Sequence, residues 1–450
     1  MSLPLFPSPA ELLDRHLDDL GPVVGRFRFK QYYLPGSPEL ELALCLVSPE
    51  SEEGARCLAL VTDQVSEVTR WMATGALDPP GLQCLADAIG SPVVDLFGPW
   101  ELLPVHIAKP WGQEIWYTGI EARGQSLIAE GGNSVPLPWL LSIVPDRLLQ
   151  PGGRDPALLK ILDPLPEEVF GDLYFELHEE KREVYVVTHV DGDAWPDGTG
   201  AIRFGFDPEQ RQNHGDADFR ARFLSLVRDY EAIRRQIDGF CDRYRRRDGI
   251  GLNEPVPAHQ LKKWLGDVPR VLRQREEAAR AAMNEMTHLV PLAVGDVVKV
   301  PCLTPHALQH GVRTVEFQTP VYERKILSFA QKVLTQSHWD TEEAVGLMSL
   351  DAGHLEPLPV IERDSGYTLE QVVAFDDFEV FRLTLAVGGT WRAPDRDCYR
   401  LAMALQDGAL VNGRVLGAEH ACLVPRMARW LSVANTGAGS LVVLLCQPIL

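Results

Sequence analysis

Glu176 and His178 sit one residue apart in the run Gly171-Asp-Leu-Tyr-Phe-Glu-Leu-His, and Glu183 follows after the polar turn Glu179-Glu180-Lys181-Arg182. Side chains alternate along a strand, so Glu176 and His178 project from the same face. Well downstream, Gly295-Asp-Val-Val-Lys-Val-Pro301-Cys-Leu-Thr-Pro305-His306 reads as a second strand that delivers one more histidine. Together the four residues offer two imidazoles and two carboxylates. Such a mixed nitrogen and oxygen set neutralises a divalent cation and suits zinc, manganese, iron, cobalt or nickel better than soft copper. Zinc heads the expectation, and the ligand types do not choose among the five.

These residues need β-strands to hold them. From Trp100 to Phe206 short apolar runs are punctuated by Gly, Pro and Asp, which marks antiparallel β-structure. Between Asp216 and Thr287 the pattern becomes helical, with Phe223, Leu226, Tyr230 and Ile233, and later Leu261, Trp264, Val268 and Leu272, at spacings of three and four. That stretch separates the two halves of the candidate site, so the β-domain must resume at Leu289 after a helical insertion. The first hundred residues read as a mixed α/β segment, with a helix over Pro9 to Leu20, strands over Phe27–Tyr33 and Leu40–Val47, and a helix over Val65–Met72. After a Pro- and acid-rich connector at Glu356 to Asp364, alternation returns in Phe381–Leu385 and Leu401–Leu405. Asp407-Gly408 and Asn412-Gly413 then signal hairpins. The last strand, Leu441 to Cys446, is apolar on both faces and reads as buried in a sandwich.

The chain has 450 residues and is 45% apolar, enough for several well-packed domains. Its 63 acidic against 43 basic residues give a net charge of -20, which opposes general binding to nucleic acid or to an anionic membrane surface. The arginine-rich stretch ending at Arg245-Arg246-Arg247 is interspersed with Asp and Glu and reads as a solvated helix face. The eight cysteines show no CxxC pair, which suits a reduced chain. With no basic and apolar leader at the N-terminus and no apolar window long enough for a membrane helix, cytoplasm is the expected compartment.

Both ligand segments resemble the two motifs of the cupin superfamily, small jelly rolls that hold a metal inside one barrel. Gly171, Glu176, His178, Glu183 and Gly192 align with the first motif. Gly295, Pro301 and His306 align with the second, with Leu303 where the family usually has glycine. Within the superfamily, residues 105 to 330 resemble type I phosphomannose isomerases. Lys109-Pro-Trp111-Gly112, Pro156-Ala-Leu-Leu-Lys160-Ile-Leu-Asp163, Lys181-Arg-Glu183, His306-Ala-Leu308, Glu316-Phe-Gln318 and Tyr322-Glu-Arg324 follow that family's motifs in order. Three departures stand out. Glu176 replaces the family's Gln, the stretch from Glu316 to Arg324 is slightly short, and only Glu179 and Glu180 separate His178 from Lys181, where the family has a loop of roughly twenty residues.

The resemblance implies a mainly β fold. Residues 101–206 and 288–350 form a metal-binding jelly roll interrupted by a helical insertion at 207–287, and residues 351–450 form a second roll without metal ligands. Residues 1–100 form an N-terminal segment of unknown role. The implied activity is metal-dependent conversion of an aldose phosphate to a ketose phosphate, with mannose 6-phosphate and fructose 6-phosphate as the pair. Its small-molecule partner is a sugar phosphate, and oligomeric state stays open. The reaction moves a proton between C1 and C2 and needs a base, a polarised oxygen and stabilisation of negative charge. Lys181 and Glu316 are the candidate proton-transfer groups, and Arg324 would pair with anionic oxygen through its planar fork. The alternative is a non-catalytic cupin that keeps the metal and binds carbohydrate; a dioxygenase is less in keeping with two histidines than with the usual three.

Overall fold

The computed structural model describes residues 2–19, 21–49 and 56–449. Strands take 34% of the chain and helices 25%, so the protein is mainly β, with several sheets. It divides into two compact units. The first comprises Met1–Val105, Trp116–Leu159 and Leu358–Leu450, and the second His106–Ile115 and Lys160–Pro357.

The first unit begins with helix Pro9–Asp19 and a four-stranded antiparallel sheet of Val23–Lys30, Glu39–Val47, Leu58–Thr62 and Val94–Asp95. The expected end of the helix, Leu20, lies outside the described residues. Ala43, Cys45 and Val47 alternate toward helices Val65–Trp71 and Pro79–Ile89, whose Val68, Leu82 and Leu85 complete one core. The second of these helices was not anticipated from sequence, although it carries the usual start signals. Asp78 accepts the Gly81 N–H at 2.8 Å, and Pro79 occupies the first turn.

The same unit holds a nine-stranded sheet in which Leu441–Pro448 lies between Phe378–Leu385 and Arg400–Ala404. That central position explains why the last strand is apolar on both faces. Strands Trp100–Leu103, Leu127–Glu130 and Asn133–Pro136 extend this sheet, so residues 116–159, read from sequence with the metal-binding roll, fall in the first unit. A smaller sheet of Thr390–Arg392, Ser432–Asn435, Ala409–Val411 and Arg414–Leu416 shares its core. Asn412 and Gly413, at φ 46° and 84°, make the tight turn between Ala409–Val411 and Arg414–Leu416, as their types predict.

The second unit contains a five-stranded sheet in the order Thr287–Leu292, Gly200–Phe206, His306–Leu308, Phe175–Leu177, Lys325–Ser328. It also holds most of a six-stranded sheet in the order Val297–Val300, Glu183–Val190, Val312–Gln318, Leu158–Pro164, Gly112–Trp116, Val105–Lys109. Leu177, Ile202 and Leu308 of one sheet and Tyr185, Val187 and Val298 of the other belong to a single buried core. Helices Asp216–Arg247, Ala258–Gly266 and Arg270–Asn284 lie in the chain between the two ligand segments. The long helix presents Phe219, Phe223, Val227 and Tyr230 at helical spacing to that core, with the Phe219 and Phe223 rings each 5.1 Å from Phe206. Its last turn is Arg245-Arg246-Arg247, where cations complement the helix dipole. Among the described residues no helix is long and apolar enough to cross a membrane.

Candidate metal centre

Strand Phe175–Leu177 is paired with strand His306–Leu308, and their register sets Glu176 directly opposite His306. His178 follows one residue after the first strand. Glu183 opens the strand Glu183–Val190 in the other sheet. One coordinating atom from each of Glu176, His178 and His306 lies within 4.8 Å of the other two. Glu183 Oε2 stands 3.4 Å from His178 Nε2 and 3.3 Å from His306 Nε2. All four residues predicted as ligands are therefore brought together, three of them in mutual reach and Glu183 against both imidazoles.

The hydrogen bonds around the rings fix what the inner atoms are. His178 Nδ1 donates to the Glu323 carbonyl at 3.0 Å, and His306 Nδ1 donates to the Thr304 carbonyl at 3.0 Å. A neutral ring that donates from Nδ1 leaves a lone pair on Nε2. Both Nε2 atoms are buried without a hydrogen-bond partner, as is Glu176 Oε2. Lone pairs and carboxylate oxygens crowded into one buried pocket repel one another unless a cation lies among them. This donor set fits a divalent metal, and zinc, manganese, iron, cobalt and nickel all accept it.

Charge compensation is built around the cluster. Tyr185 donates its hydroxyl to Glu183 Oε2 at 2.6 Å, and the Lys181 ammonium contacts Glu183 Oε1. Burial alone would raise the Glu183 carboxyl, but the Lys181 ammonium holds it well below the ordinary carboxylate range. Burial and the same ammonium push His178 down, keeping its ring neutral. Arg324 lies 3.5 Å from Glu176 Oε2, with its guanidinium carbon 4.6 Å from the centre of the Tyr174 ring, and donates to Thr335 Oγ1 at 2.8 Å. Glu176, being charged where a glutamine would be neutral, thus engages the arginine expected to meet substrate.

Glu316 stands opposite Tyr185 in the paired strands and is 1% exposed. Burial and the Glu183 carboxylate push its carboxyl well above the usual range, and Lys160 and Lys181 offset this only in part. Lys160 Nζ lies 3.2 Å from Glu316 and 3.9 Å from Glu114, and Lys109 Nζ lies 3.0 Å from Glu114. Glu183, Glu316, Lys160, Glu114 and Lys109 consequently run across five neighbouring strands of the six-stranded sheet, one on each.

Sequence reasoning assigned no site role to Glu114, Lys160, Lys109, Tyr185 or Glu323. Lys160 had a visible signal, a lone charge inside Leu158-Leu-Lys-Ile-Leu162. Glu323 had none. Its carboxylate accepts the N–H groups of Glu179 at 2.9 Å, Glu180 at 3.2 Å and Lys181 at 3.5 Å, while its carbonyl orients His178. One residue thereby shapes the short turn and aims a candidate ligand. Leu303, where the cupin pattern has glycine, takes the left-handed conformation at φ 66°, and its N–H donates to the His178 carbonyl at 2.6 Å.

No protein-family model and no curated protein sequence matches the chain. Solved structures do. The mannose 6-phosphate isomerase from Bacillus subtilis superposes with a TM-score of 0.54 at 13% identity, covering 78% of this chain and 99% of that one. Two mutants of the phosphomannose isomerase from Salmonella typhimurium superpose at 0.51 with 13% identity and 0.50 with 14% identity, each covering 78% of this chain and 100% of theirs. At these identities the likeness is one of architecture: the chain has the cupin fold of the type I phosphomannose isomerases.

Proposed function

We propose that the protein is a metal-dependent isomerase that interconverts mannose 6-phosphate and fructose 6-phosphate. The observation that carries this reading is the convergence of the His178 and His306 lone pairs and Glu176 in one buried pocket, with the buried Glu316 on the neighbouring strand to Glu183. The fold shared with phosphomannose isomerases supports a sugar phosphate as the substrate. Glu176, His178, Glu183 and His306 would hold the ion, zinc first among the candidates. When bound, it would supply Lewis acidity to a substrate oxygen.

The chain's own groups do the rest. Glu316 and Lys181 are the proton-transfer pair. A carboxyl raised by burial releases and recovers a proton near neutral pH more readily than an ordinary one. The proton leaves C2 of the aldose as the carbonyl at C1 becomes a hydroxyl, and a proton is returned to C1 as the C2 oxygen becomes the ketone. Arg324, freed from Glu176 by an anionic oxygen, would hold the enediolate or the phosphate through its fork. Burial of this cluster keeps bulk water from quenching the intermediate. In the domain assignment that accompanies this reading, residues 101–206 and 288–350, apart from 116–159, form the metal-binding jelly roll with 207–287 as a helical insertion. Residues 351–450 form a second roll without metal ligands, and residues 1–100 form an N-terminal segment with no role assigned.

One observation favours a second reading, a cupin that binds carbohydrate without turning it over. Arg324 is engaged by Glu176, and the turn between His178 and Lys181 is only two residues long, so less wall is available for a phosphosugar. Purified protein assayed for metal and for mannose 6-phosphate turnover, with and without chelator and beside His306→Ala, separates the two. Chelator-sensitive turnover lost in the variant supports the isomerase. Stoichiometric metal with no turnover of any hexose phosphate supports the binding protein, and absence of metal overturns both.

A further inference from the structure

Between strands Phe175–Leu177 and Glu183–Val190, residues 178–182 form neither helix nor strand, so the backbone N–H groups after His178 need acceptors from elsewhere. Arg182 finds one in Thr319 Oγ1 at 3.2 Å. The other three converge on a single atom. Glu323 Oε2 accepts from Glu179 at 2.9 Å, Glu180 at 3.2 Å and Lys181 at 3.5 Å, and its negative charge strengthens each bond. Lys325, two residues further on, adds an ion pair to Glu179 at 3.1 Å.

This turn delivers Lys181. Glu179 and Glu180 are exposed, yet Lys181 is only 8% exposed and its ammonium meets Glu183 Oε1 in the interior. Keeping a lysine folded inward costs hydration and rotamer freedom, so its backbone must be held for the ammonium to stay. The hold on the Lys181 backbone comes from the Glu323 side chain. The hold on His178 is different, because it uses the Glu323 main-chain carbonyl, which any residue at that position supplies, and the Leu303 N–H. A change of side chain at 323 therefore loosens Lys181 and leaves His178 aimed.

We infer that the Glu323 carboxylate is a positioning residue for Lys181, fixing the turn that keeps its ammonium inside the site; its effect on turnover rests on the isomerase reading. Glu323→Leu, which has no acceptor, should lower kcat for mannose 6-phosphate by ~10- to 100-fold, the scale of a misplaced reacting group. KM should change by less than about threefold and metal content should stay the same. Glu323→Gln keeps an acceptor oxygen and should recover most of the loss. Two readouts are independent of turnover. Amide hydrogen exchange across residues 179–181 should be at least about tenfold faster in Glu323→Leu and close to that of the unaltered protein in Glu323→Gln. The Lys181 amine, protected in the unaltered protein, should become open to reductive methylation only in Glu323→Leu. Glu323→Ala, equally without an acceptor, replaces Glu323→Leu if that variant fails to fold by near-ultraviolet circular dichroism. Unchanged exchange or unchanged Lys181 protection in Glu323→Leu, an equal loss in Glu323→Gln, or metal lost in step with kcat would each overturn the assignment. Absence of turnover in the unaltered protein would sink the isomerase reading alone, and exchange and labelling would then decide the role of Glu323.

Discussion

The interior of the Lys160–Pro357 unit and the interior of the C-terminal sheets are built on the same alternation and filled with opposite chemistry. In the first, inward positions carry Glu176, Glu183, Tyr185, His306 and Glu316, nearly all buried and each set beside a partner of matching charge or hydrogen-bonding capacity. In the second, inward positions carry Leu383, Ala402, Ala404, Val443 and Leu445, with the charges of Arg400 and Glu379 confined to one end. A sheet interior made of hydrocarbon stabilises by burial alone. One made of carboxylates and imidazoles is tolerable only if something balances it, and the ladder from Glu183 to Lys109 together with a bound cation would do so. The contrast therefore separates a unit that gathers ionisable side chains in its interior from one whose interior is packed with hydrocarbon.

The largest effect should come from His306→Ala. Losing one of two imidazole donors should lower metal content, measured by elemental analysis of dialysed protein, by more than the 10- to 100-fold typical of removing a mere supporting partner. Undiminished metal would break the contrast at its root. Glu316→Gln should lower kcat by ~10²- to 10⁴-fold, the range of a general acid or base, with metal content unchanged. It also carries a pH signature. Because the carboxyl is raised in the folded state, its stabilising contribution is fully present below the ordinary carboxylate value and fades as pH rises toward the raised one. The variant should therefore flatten that alkaline limb of a thermal-denaturation series.

Leu383→Ala, in the hydrocarbon interior, should cost about 2–5 kcal/mol by denaturant titration and leave metal content untouched. A loss of metal there would mean that the two interiors are not independent. Tyr185→Phe removes the hydroxyl held 2.6 Å from Glu183 and should weaken metal affinity ~10- to 100-fold with little change in fold. The smallest effect belongs to Glu176→Gln. Once neutral, position 176 no longer engages Arg324, and KM for a hexose phosphate should fall a few-fold, read in steady-state kinetics with metal content as the control.

How much of this was legible in the sequence follows from where each signal lies along the chain. Glu176, His178 and Glu183 stand within one strand-turn-strand, so period-two alternation suffices to group them. His306 is far away, yet it sits in a second segment with its own internal spacing. The long helix is visible in its apolar stripe, and the hairpin at Asn412-Gly413 in its residue types. The cross-strand ladder is another matter. Lys109, Glu114, Lys160 and Glu316 come from four strands whose order in the sheet no local pattern encodes, so the motifs that single out Lys109, Lys160 and Glu316 do not reveal that these side chains meet across Glu114. The turn-shaping role of Glu323 depends on backbone N–H groups more than a hundred residues earlier, and the grouping of residues 116–159 with the first unit depends on strand pairing alone.

The hydrogen bond from Leu303 to the His178 carbonyl also sets an order in time. His178 is made before the helices spanning Asp216 to Asn284, and Leu303 after them. During synthesis Glu176, His178 and Glu183 therefore emerge before the helical stretch and before the strands that pair with theirs. Only later can the left-handed turn at Leu303 close over His178 and bring His306 opposite Glu176. A chain halted before that turn would carry Glu176, His178 and Glu183 without His306 or the Leu303 N–H, and so without the donor set of the pocket.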